Sequence, residues 1–211
     1  MSSATARIAR PTSRARRIRR RRRGLLLVAG VLAAGVAATA AGLGPLGNAV
    51  REITLPLRHD DIIRQQAADK NLDAALIAAV IYEESRFRDQ TSRAGARGLM
   101  QITPDTARFI AGHSGGTRFV QEDLAIPQIN IAYGSYFIRY LIDHYEGNEV
   151  LAVAAYNAGQ ANVDGWVRGA GGPSAFDAVR DIPFPETRAY VSNVFERRGE
   201  YREHYAKDLG L

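Results

Sequence analysis

Two adjacent glutamates near the end of an apolar segment are the residues whose setting indicates acid–base chemistry. Residues 73–87 are rich in Ala, Leu and Ile and contain no Gly or Pro, which predicts a helix. On a helical wheel at about 100° per residue, the large apolar residues form one stripe, with Glu84 at its centre and Glu83 at its edge. A carboxylate on an apolar face must be neutralised, paired or hydrogen-bonded, because burial of a bare charge is costly.

Two interpretations of Glu84 are open at this point. Desolvation favours the protonated carboxyl and raises its pKa, which a general acid working near neutral pH requires. Alternatively, an arginine such as Arg86, Arg93 or Arg97 pairs with Glu84, and the pair only supports the fold. The spacing alone does not decide between them.

Metal and thiol chemistry are disfavoured by composition. The chain has no cysteine, which excludes disulfides, thiolate zinc sites and cysteine nucleophiles. The four histidines are far apart in sequence, and none belongs to an H-E-x-x-H motif; they are His59, His113, His144 and His204. We therefore expect no metal site and no cofactor.

The positive charge of the chain is concentrated at its N-terminus. The formal net charge is +6, from 28 basic and 22 acidic residues. Residues 1–50 contain ten of the basic residues, all arginines, and no acidic residue, so residues 51–211 hold 18 basic against 22 acidic residues, a net charge of −4. A mildly acidic domain disfavours nucleic acid as the partner, since phosphate binding depends on Lys and Arg.

The arginines precede a stretch without any charge, from residue 24 to residue 50. Residues 24–44 are apolar enough, and long enough, to cross the ~30 Å hydrocarbon core as a helix. Arginines at one end hold that end in the cytoplasm. The sequence therefore predicts a basic cytoplasmic tail over 1–23 and a single-pass signal-anchor helix over 24–44 in the cytoplasmic membrane, with the rest of the chain on the extracytoplasmic side. The alternative is a signal peptide cleaved at Ala38-Thr39-Ala40, which would release a secreted domain.

The exported part is predicted to be all-α. We expect a linker over 45–56, a helical domain over 57–205 and a C-terminal tail over 206–211. Asp73, Thr103 with Pro104, and Asn148 have the side chains that begin helices. The pattern predicts helices over 57–71, 73–87, 103–111, 127–145 and 148–156, and a last helix after Pro185 that ends near Tyr205.

Five segments match, in order, the motifs of a known family. They are Glu84-Ser85-x-Phe87, Ser92-x-x-Gly95-Ala96-x-Gly98-Leu99-Met100-Gln101-x-x-Pro104-x-Thr106-Ala107, Asn130-Ile131-x-x-Gly134-x-x-Phe137, Ala155-Tyr156-Asn157-Ala158-Gly159, and Ile182-Pro183 with Glu186-Thr187-Arg188-x-Tyr190-Val191. Residues 57–205 thereby resemble the soluble-type (SLT-domain) lytic transglycosylases. One departure is Phe137, which stands where Tyr is more usual.

The resemblance implies a goose-lysozyme-like α-domain that binds the glycan strands of peptidoglycan. It implies cleavage of the β-1,4 bond between N-acetylmuramic acid and N-acetylglucosamine, with Glu84 as the catalytic carboxyl. The implied substrate contacts are Ser85, Met100, Gln101, Tyr156, Asn157 and Tyr190. Packing is the alternative role for Tyr156, and a bond to its own helix is the alternative role for the Ser85 hydroxyl.

The resemblance also implies a mechanism with one carboxyl. Most glycosidases place two carboxylates across the scissile bond, but Glu83 points about 100° away from Glu84 on a helix. In the family, the counterpart of Glu84 protonates the leaving oxygen and then accepts a proton from the muramic acid 6-hydroxyl, which closes a 1,6-anhydro ring. The alternatives are a lysozyme-type hydrolase on the same fold and a non-catalytic glycan-binding module. The sequence does not identify any protein partner.

Overall fold

The structure, a computed structural model, describes residues 45–115 and 120–211. The predicted basic tail over 1–23 and the predicted membrane helix over 24–44 lie outside these residues. Helix α1, Pro45–Thr54, occupies the segment predicted as a linker, so that segment is largely helical. A unit of the chain ends at Thr54, and a second compact unit begins at Leu55. No helix in the described part of the chain combines the length and apolar character needed to cross a membrane.

The second unit is built from helices, as predicted. In chain order they are α2 (Asp60–Lys70), α3 (Ala74–Ser85), α4 (Pro104–Ser114), α5 (Pro127–His144), α6 (Glu149–Ala158), α7 (Gln160–Ala170), α8 (Ala178–Asp181) and α9 (Pro185–Leu209), with short 3-10 turns at Gln121–Ala125 and Pro173–Ala175. Between α3 and α4, Arg97 makes isolated β-bridges with Thr91 and Ile102.

The three predicted helix starts are confirmed by their capping hydrogen bonds. The Asp73 carboxylate accepts from the Ala75 amide at 3.0 Å. The Thr103 hydroxyl accepts from the Thr106 amide at 3.2 Å, directly before Pro104. The Asn148 side chain accepts from the Leu151 amide at 3.1 Å. Each bond satisfies an amide that has no partner within its own helix.

Helix α3 lies at the centre of this unit. Every residue from Ala74 to Tyr82 is buried, because α9 and α2 pack against the helix. The one-sided apolar stripe predicted from the wheel is therefore wrong: the apolar surface continues around the helix. Only near its C-terminus, at Glu83 and Glu84, do side chains become partly exposed.

Helix α9 runs along α3 and continues beyond its predicted end. It extends to Leu209, with a local departure from helical geometry at Tyr205, where φ is −130° and ψ is 23°. Most of the predicted tail over 206–211 is therefore helical. The guanidinium of Arg198 contacts the Asp73 carboxylate at the start of α3 and lies 2.6 Å from the Glu149 carboxylate at the start of α6. These ion pairs fix which residues of α9 face the C-terminal end of α3.

Helix α7 has no counterpart among the predicted elements. It begins directly after Gly159, which ends α6. Its buried residues are Val163 and Val167, a stripe too narrow to stand out in the sequence.

Candidate active site

The structure brings Glu84 and Tyr190 together from opposite ends of the second unit's sequence. Glu84 lies in the last turn of α3, and Tyr190 lies in the second turn of α9. The Tyr190 hydroxyl donates a hydrogen bond of 2.6 Å to the Glu84 carboxyl oxygen Oε1. Both side chains are partly buried. Among the described residues, no ion pair joins Glu84 to Arg86, Arg93 or Arg97. The predicted alternative of a structural Arg–Glu84 pair is therefore wrong for these arginines.

An arginine pairs with the neighbouring glutamate instead. The Arg197 guanidinium nitrogen Nε lies 3.6 Å from Oε1 of Glu83. The Asn193 amide donates to Oε2 of Glu83 at 3.3 Å. The two adjacent carboxyls thus have opposite environments: Glu83 faces a cation and an amide, whereas Glu84 faces a phenol.

Burial raises the pKa of Glu84 from its ordinary value of 4.5 to about 7. The hydrogen bond from Tyr190 lowers that pKa in part, and the negative charge of Glu83 raises it. Burial also raises the pKa of Tyr190 well above its ordinary value, with the charge of Glu84 adding to the effect. Tyr190 is therefore a neutral donor near neutral pH, while Glu84 is close to half protonated, which is the state a group needs to give and take a proton.

A turn over residues 98–101 lies beside this pair and is fixed by one buried amide. The Asn130 side chain accepts from the Met100 amide at 2.8 Å and donates to the carbonyls of Arg97 and Leu124, each at 2.9 Å. Gly98 has a φ of +78°, and a Cβ there would lie 2.5 Å from the Leu124 carbonyl oxygen. Only glycine fits this close approach of two backbones.

Met100 and Gln101 differ in what they offer to a ligand. The Met100 side chain is completely buried and packs on Gly134, so a direct sugar contact by this side chain would require it to leave its packing. Gln101 is partly exposed and has a φ of +46°. Its amide donates to the carbonyls of Gly98 and Gln90, at 2.7 and 3.1 Å.

Tyr156 and Asn157 join the turn and helix α9 to the same site. The Tyr156 hydroxyl donates to the Met100 carbonyl at 2.8 Å. Burial raises the pKa of Tyr156 well above its ordinary value, and the charge of Glu84 raises it further. Asn157 is exposed, and its side-chain oxygen accepts from the buried Thr187 hydroxyl at 2.8 Å. Asn157 is thus held by its oxygen, which orients its amide group.

Ser85 is the predicted contact that the structure directs elsewhere. Its side chain is buried, and its hydroxyl donates to the Ile81 carbonyl one turn earlier at 3.1 Å. The hydroxyl therefore bonds to its own helix, which is the alternative to a substrate contact named above.

Three residues that position this site were given no role from sequence. Asn130 and Thr187 occur only as members of the motifs, and Arg197 lies outside them. A polar residue among the apolar residues of the 127–145 pattern was a usable signal for Asn130. For Arg197 the signal was its place seven residues after Tyr190, on the same helical face.

Comparison with known proteins agrees with this geometry. Residues 61–178 match the family described as the transglycosylase SLT domain. The chain belongs to this family. It is 33% identical over 159 residues to the soluble lytic murein transglycosylase of Escherichia coli K12, which covers 72% of this chain and 24% of that protein. It is also 30% identical over 146 residues to a membrane-bound lytic murein transglycosylase F of Cellvibrio japonicus, covering 64% of this chain and 28% of that protein.

A solved structure shares the fold. The lytic transglycosylase Slt of Pseudomonas aeruginosa, solved as an inactive glutamate-to-glutamine mutant, matches 72% of this SLT-family chain and 25% of its own length, with a TM-score of 0.66 and 32% identity. The predicted all-α, lysozyme-like SLT fold is thereby confirmed. The chain spans about a quarter of the length of each of these relatives.

Proposed function

We propose that the chain is a membrane-anchored peptidoglycan lytic transglycosylase that cleaves the β-1,4 bond between N-acetylmuramic acid and N-acetylglucosamine. The observation that carries the proposal is the Glu84 carboxyl, which is partly buried, accepts a 2.6 Å hydrogen bond from Tyr190 and has a pKa raised to about 7. Membership of the SLT family, and the activity named for its relatives, support the choice of substrate.

In the proposed reaction Glu84 acts first as an acid and then as a base. Its carboxyl proton passes to the glycosidic oxygen, the bond from that oxygen to C1 of muramic acid breaks, and N-acetylglucosamine leaves with a free 4-hydroxyl. The 6-hydroxyl oxygen of the same muramic acid bonds to C1, and its proton passes to the Glu84 carboxylate. Glu84 ends protonated as it began, no water is consumed, and the product ends in a 1,6-anhydro ring.

The surroundings of Glu84 favour an intramolecular nucleophile. Glu83, the nearest acid in sequence, is directed toward Arg197 and Asn193, and Glu186 is exposed in the first turn of α9. With neither Glu83 nor Glu186 directed at the site to hold water, a tethered hydroxyl has the advantage, since effective molarities of well-oriented groups reach about 10⁵ M or more. The Asn157 amide is the proposed donor that holds the sugar, and Gln101 and Tyr190, whose hydrogens bond to Gln90, Gly98 and Glu84, are proposed to contact it through their oxygens. Ser85, Met100 and Tyr156 are proposed to contribute through the packing and turn described above.

Mass spectrometry of exhaustively digested peptidoglycan tests this proposal. We expect soluble disaccharide-peptides that end in 1,6-anhydro-N-acetylmuramic acid, one water lighter than lysozyme products. Reducing-end products that incorporate oxygen-18 from labelled water would indicate the lysozyme-type hydrolase. Binding of glycan strands without any soluble product would indicate a glycan-binding module.

Two matched substitutions test the choice of carboxyl. Glu84→Gln keeps the side-chain shape and an acceptor for Tyr190 but has no proton to donate, so we expect turnover to fall by at least about 10²–10⁴-fold. Glu83→Gln alters the adjacent carboxyl in the same turn and should reduce turnover far less. A greater loss in Glu83→Gln would mean that Glu84 is the wrong choice of catalytic carboxyl.

The proposed topology places residues 1–23 in the cytoplasm, residues 24–44 in the cytoplasmic membrane and the domain outside, on the cell-wall side. The arginine cluster and the charge-free run support it, and a relative is named as membrane-bound. Protease added to intact spheroplasts should degrade the domain. Digestion only after lysis would contradict this orientation, and release of the domain into the medium would favour cleavage at residues 38–40.

A further inference from the structure

Glu83 and Glu84 contact three residues that lie along a single face of α9. Tyr190, Asn193 and Arg197 lie at positions i, i+3 and i+7 of α9, within about 60° on a helical wheel. Tyr190 contacts Glu84, whereas Asn193 and Arg197 contact Glu83. The packing of α9 against α3 therefore assigns a different partner to each carboxyl.

The Arg197 guanidinium is held in place from several sides. It bonds to the Glu200 carboxylate one turn later on α9, and it lies over the Tyr82 ring, 4.8 Å from the ring centroid. Its side chain is 24% exposed, and that of Glu83 is 15% exposed. Because both are largely removed from water, their attraction is screened less than that of a surface pair.

The contact between Arg197 and Glu83 is one of charge. Nε of Arg197 is buried and has no hydrogen-bond partner among the described residues, and at 3.6 Å from Glu83 it is beyond hydrogen-bonding distance. The pair therefore acts on its surroundings through its charges. We propose that Arg197 is a positioning residue that holds the Glu83 carboxyl turned away from Glu84 and offsets its charge, so that Glu84 alone exchanges a proton with the substrate.

The two adjacent carboxyls are close enough for the charge of one to act on the other. The negative charge of Glu83 raises the pKa of Glu84, and a cation beside Glu83 offsets that influence. Without Arg197, an uncompensated negative charge would remain next to Glu84, and Glu84 would hold its proton to higher pH. With Glu83 neutralised, the proton would leave Glu84 at lower pH.

The other groups around the pair have partners of their own. Facing Glu84 are Tyr190 and Tyr156, and facing Glu83 are Arg197 and Asn193. On α2, which also packs on α3, Arg64 pairs with Asp60, Lys70 bonds to Gln66, and Asp61 and Asp69 are exposed. Arg197 is thus the cation through which the pair is balanced in this part of the structure.

The inference rests on the proposed function, and the pH profile of kcat/KM on peptidoglycan is its test. Activity needs protonated Glu84, so it declines as pH rises through the pKa of that group. We expect Arg197→Met to move this alkaline limb of the profile to higher pH, and Glu83→Gln to move it to lower pH. Each shift should be about 0.5–1 pH unit, the effect of a charge at this distance in a partly buried site. Because Arg197 acts through Glu83, Arg197→Met should cause little further shift in the Glu83→Gln background.

Two arginine variants serve as controls. Arg197→Lys retains the charge and should keep the limb near its original pH, even if packing suffers. Arg202→Met removes another arginine of α9, which is more exposed and pairs with Asp73; it should leave the limb in place. An equal shift by Arg197→Met with and without Glu83, or no shift in either background, would overturn the proposal.

Carbon-13 NMR titration of the glutamate carboxyls separates this inference from the proposed function. We expect the Glu84 resonance to move with the same pattern across Arg197→Met, Glu83→Gln, their double variant and the two arginine controls, whether or not the protein degrades peptidoglycan. If the protein fails to degrade peptidoglycan while this pattern holds, the proposed function fails and the role of Arg197 stands. A Glu84 titration unaffected by Arg197→Met would reject that role in an active enzyme.

Discussion

The raised pKa of Glu84 has a consequence for stability that is opposite to that of most acidic residues. A buried carboxyl with a pKa of about 7 in the folded protein, against 4.5 ordinarily, keeps its proton while the unfolded chain releases it. Below pH 4.5 both states are protonated, and the free energy of unfolding is unaffected by this group. As pH rises from about 4.5 to 7 that free energy falls, and above pH 7 the full cost is present.

The size of the effect follows from the shift. At 1.36 kcal/mol per pH unit, a shift from 4.5 to about 7 corresponds to a loss of about 3 kcal/mol. Glu84→Gln cannot ionise, and its amide oxygen can still accept from Tyr190. We therefore expect the stability difference, Glu84→Gln minus wild type, to grow by about 3 kcal/mol between pH 4 and pH 8. The inactive Glu84→Gln variant should be more stable than the wild type at neutral pH, because residues needed for activity often reduce the stability of the folded protein.

Urea unfolding of the domain at pH 4, 6 and 8 measures this difference. Glu203→Gln, at an exposed position of α9, controls for the loss of one negative charge elsewhere. A pH-independent difference between Glu84→Gln and wild type would refute the buried, protonated carboxyl. A difference that shrinks as pH rises would mean that Glu84 is stabilised as a carboxylate, and the argument for a general acid would fail with it.

Three further outcomes follow from the same contacts. Tyr190→Phe removes the hydrogen bond that lowers the pKa of Glu84, so the alkaline limb of the activity profile should move to higher pH. The kcat should fall by about 10–100-fold, which corresponds to the loss of a hydrogen bond to a charged group. An unchanged profile would contradict this. Gly134→Ala places a Cβ 2.3 Å from the Met100 sulfur and should cost about 1–3 kcal/mol in urea unfolding, whereas Gly165→Ala on α7, with its nearest neighbour at 3.9 Å, should be neutral or stabilising. Activity should withstand chelators, and activity lost to a chelator and restored by zinc would refute the prediction of a metal-free reaction.

The parts of the fold that sequence predicted well are those decided within one turn of the chain. Asp73, Thr103 and Asn148 begin helices because each side chain bonds to an amide two or three residues later. Such contacts are visible in sequence. The sequence did not indicate α7, because its stability depends on two valines packing against other helices, and α1 was assigned to a linker although Pro45 stands at its first position.

The surroundings of α3 show where local reasoning ends. The wheel treated the helix as having one apolar face, but α9 and α2 cover it on several sides. A wheel describes how residues are distributed on a helix and contains no information about how many neighbours the helix will have. The exposure of Glu83 and Glu84 results from their place at the end of the buried stretch, more than from their angle on the wheel.

The distinction between the two glutamates depends on residues more than 100 positions away. Sequence suggested nearby arginines as partners for Glu84, yet the arginine that matters comes from α9 and pairs with Glu83. Because Tyr190 and Arg197 belong to one rigid helix, a single packing register sets both contacts at once. That register is held at Arg198, whose ion pairs join α9 to the starts of α3 and α6. The different environments of these two adjacent glutamates therefore result from the packing of α9 on α3, and a substitution at either glutamate cannot give it the environment of the other.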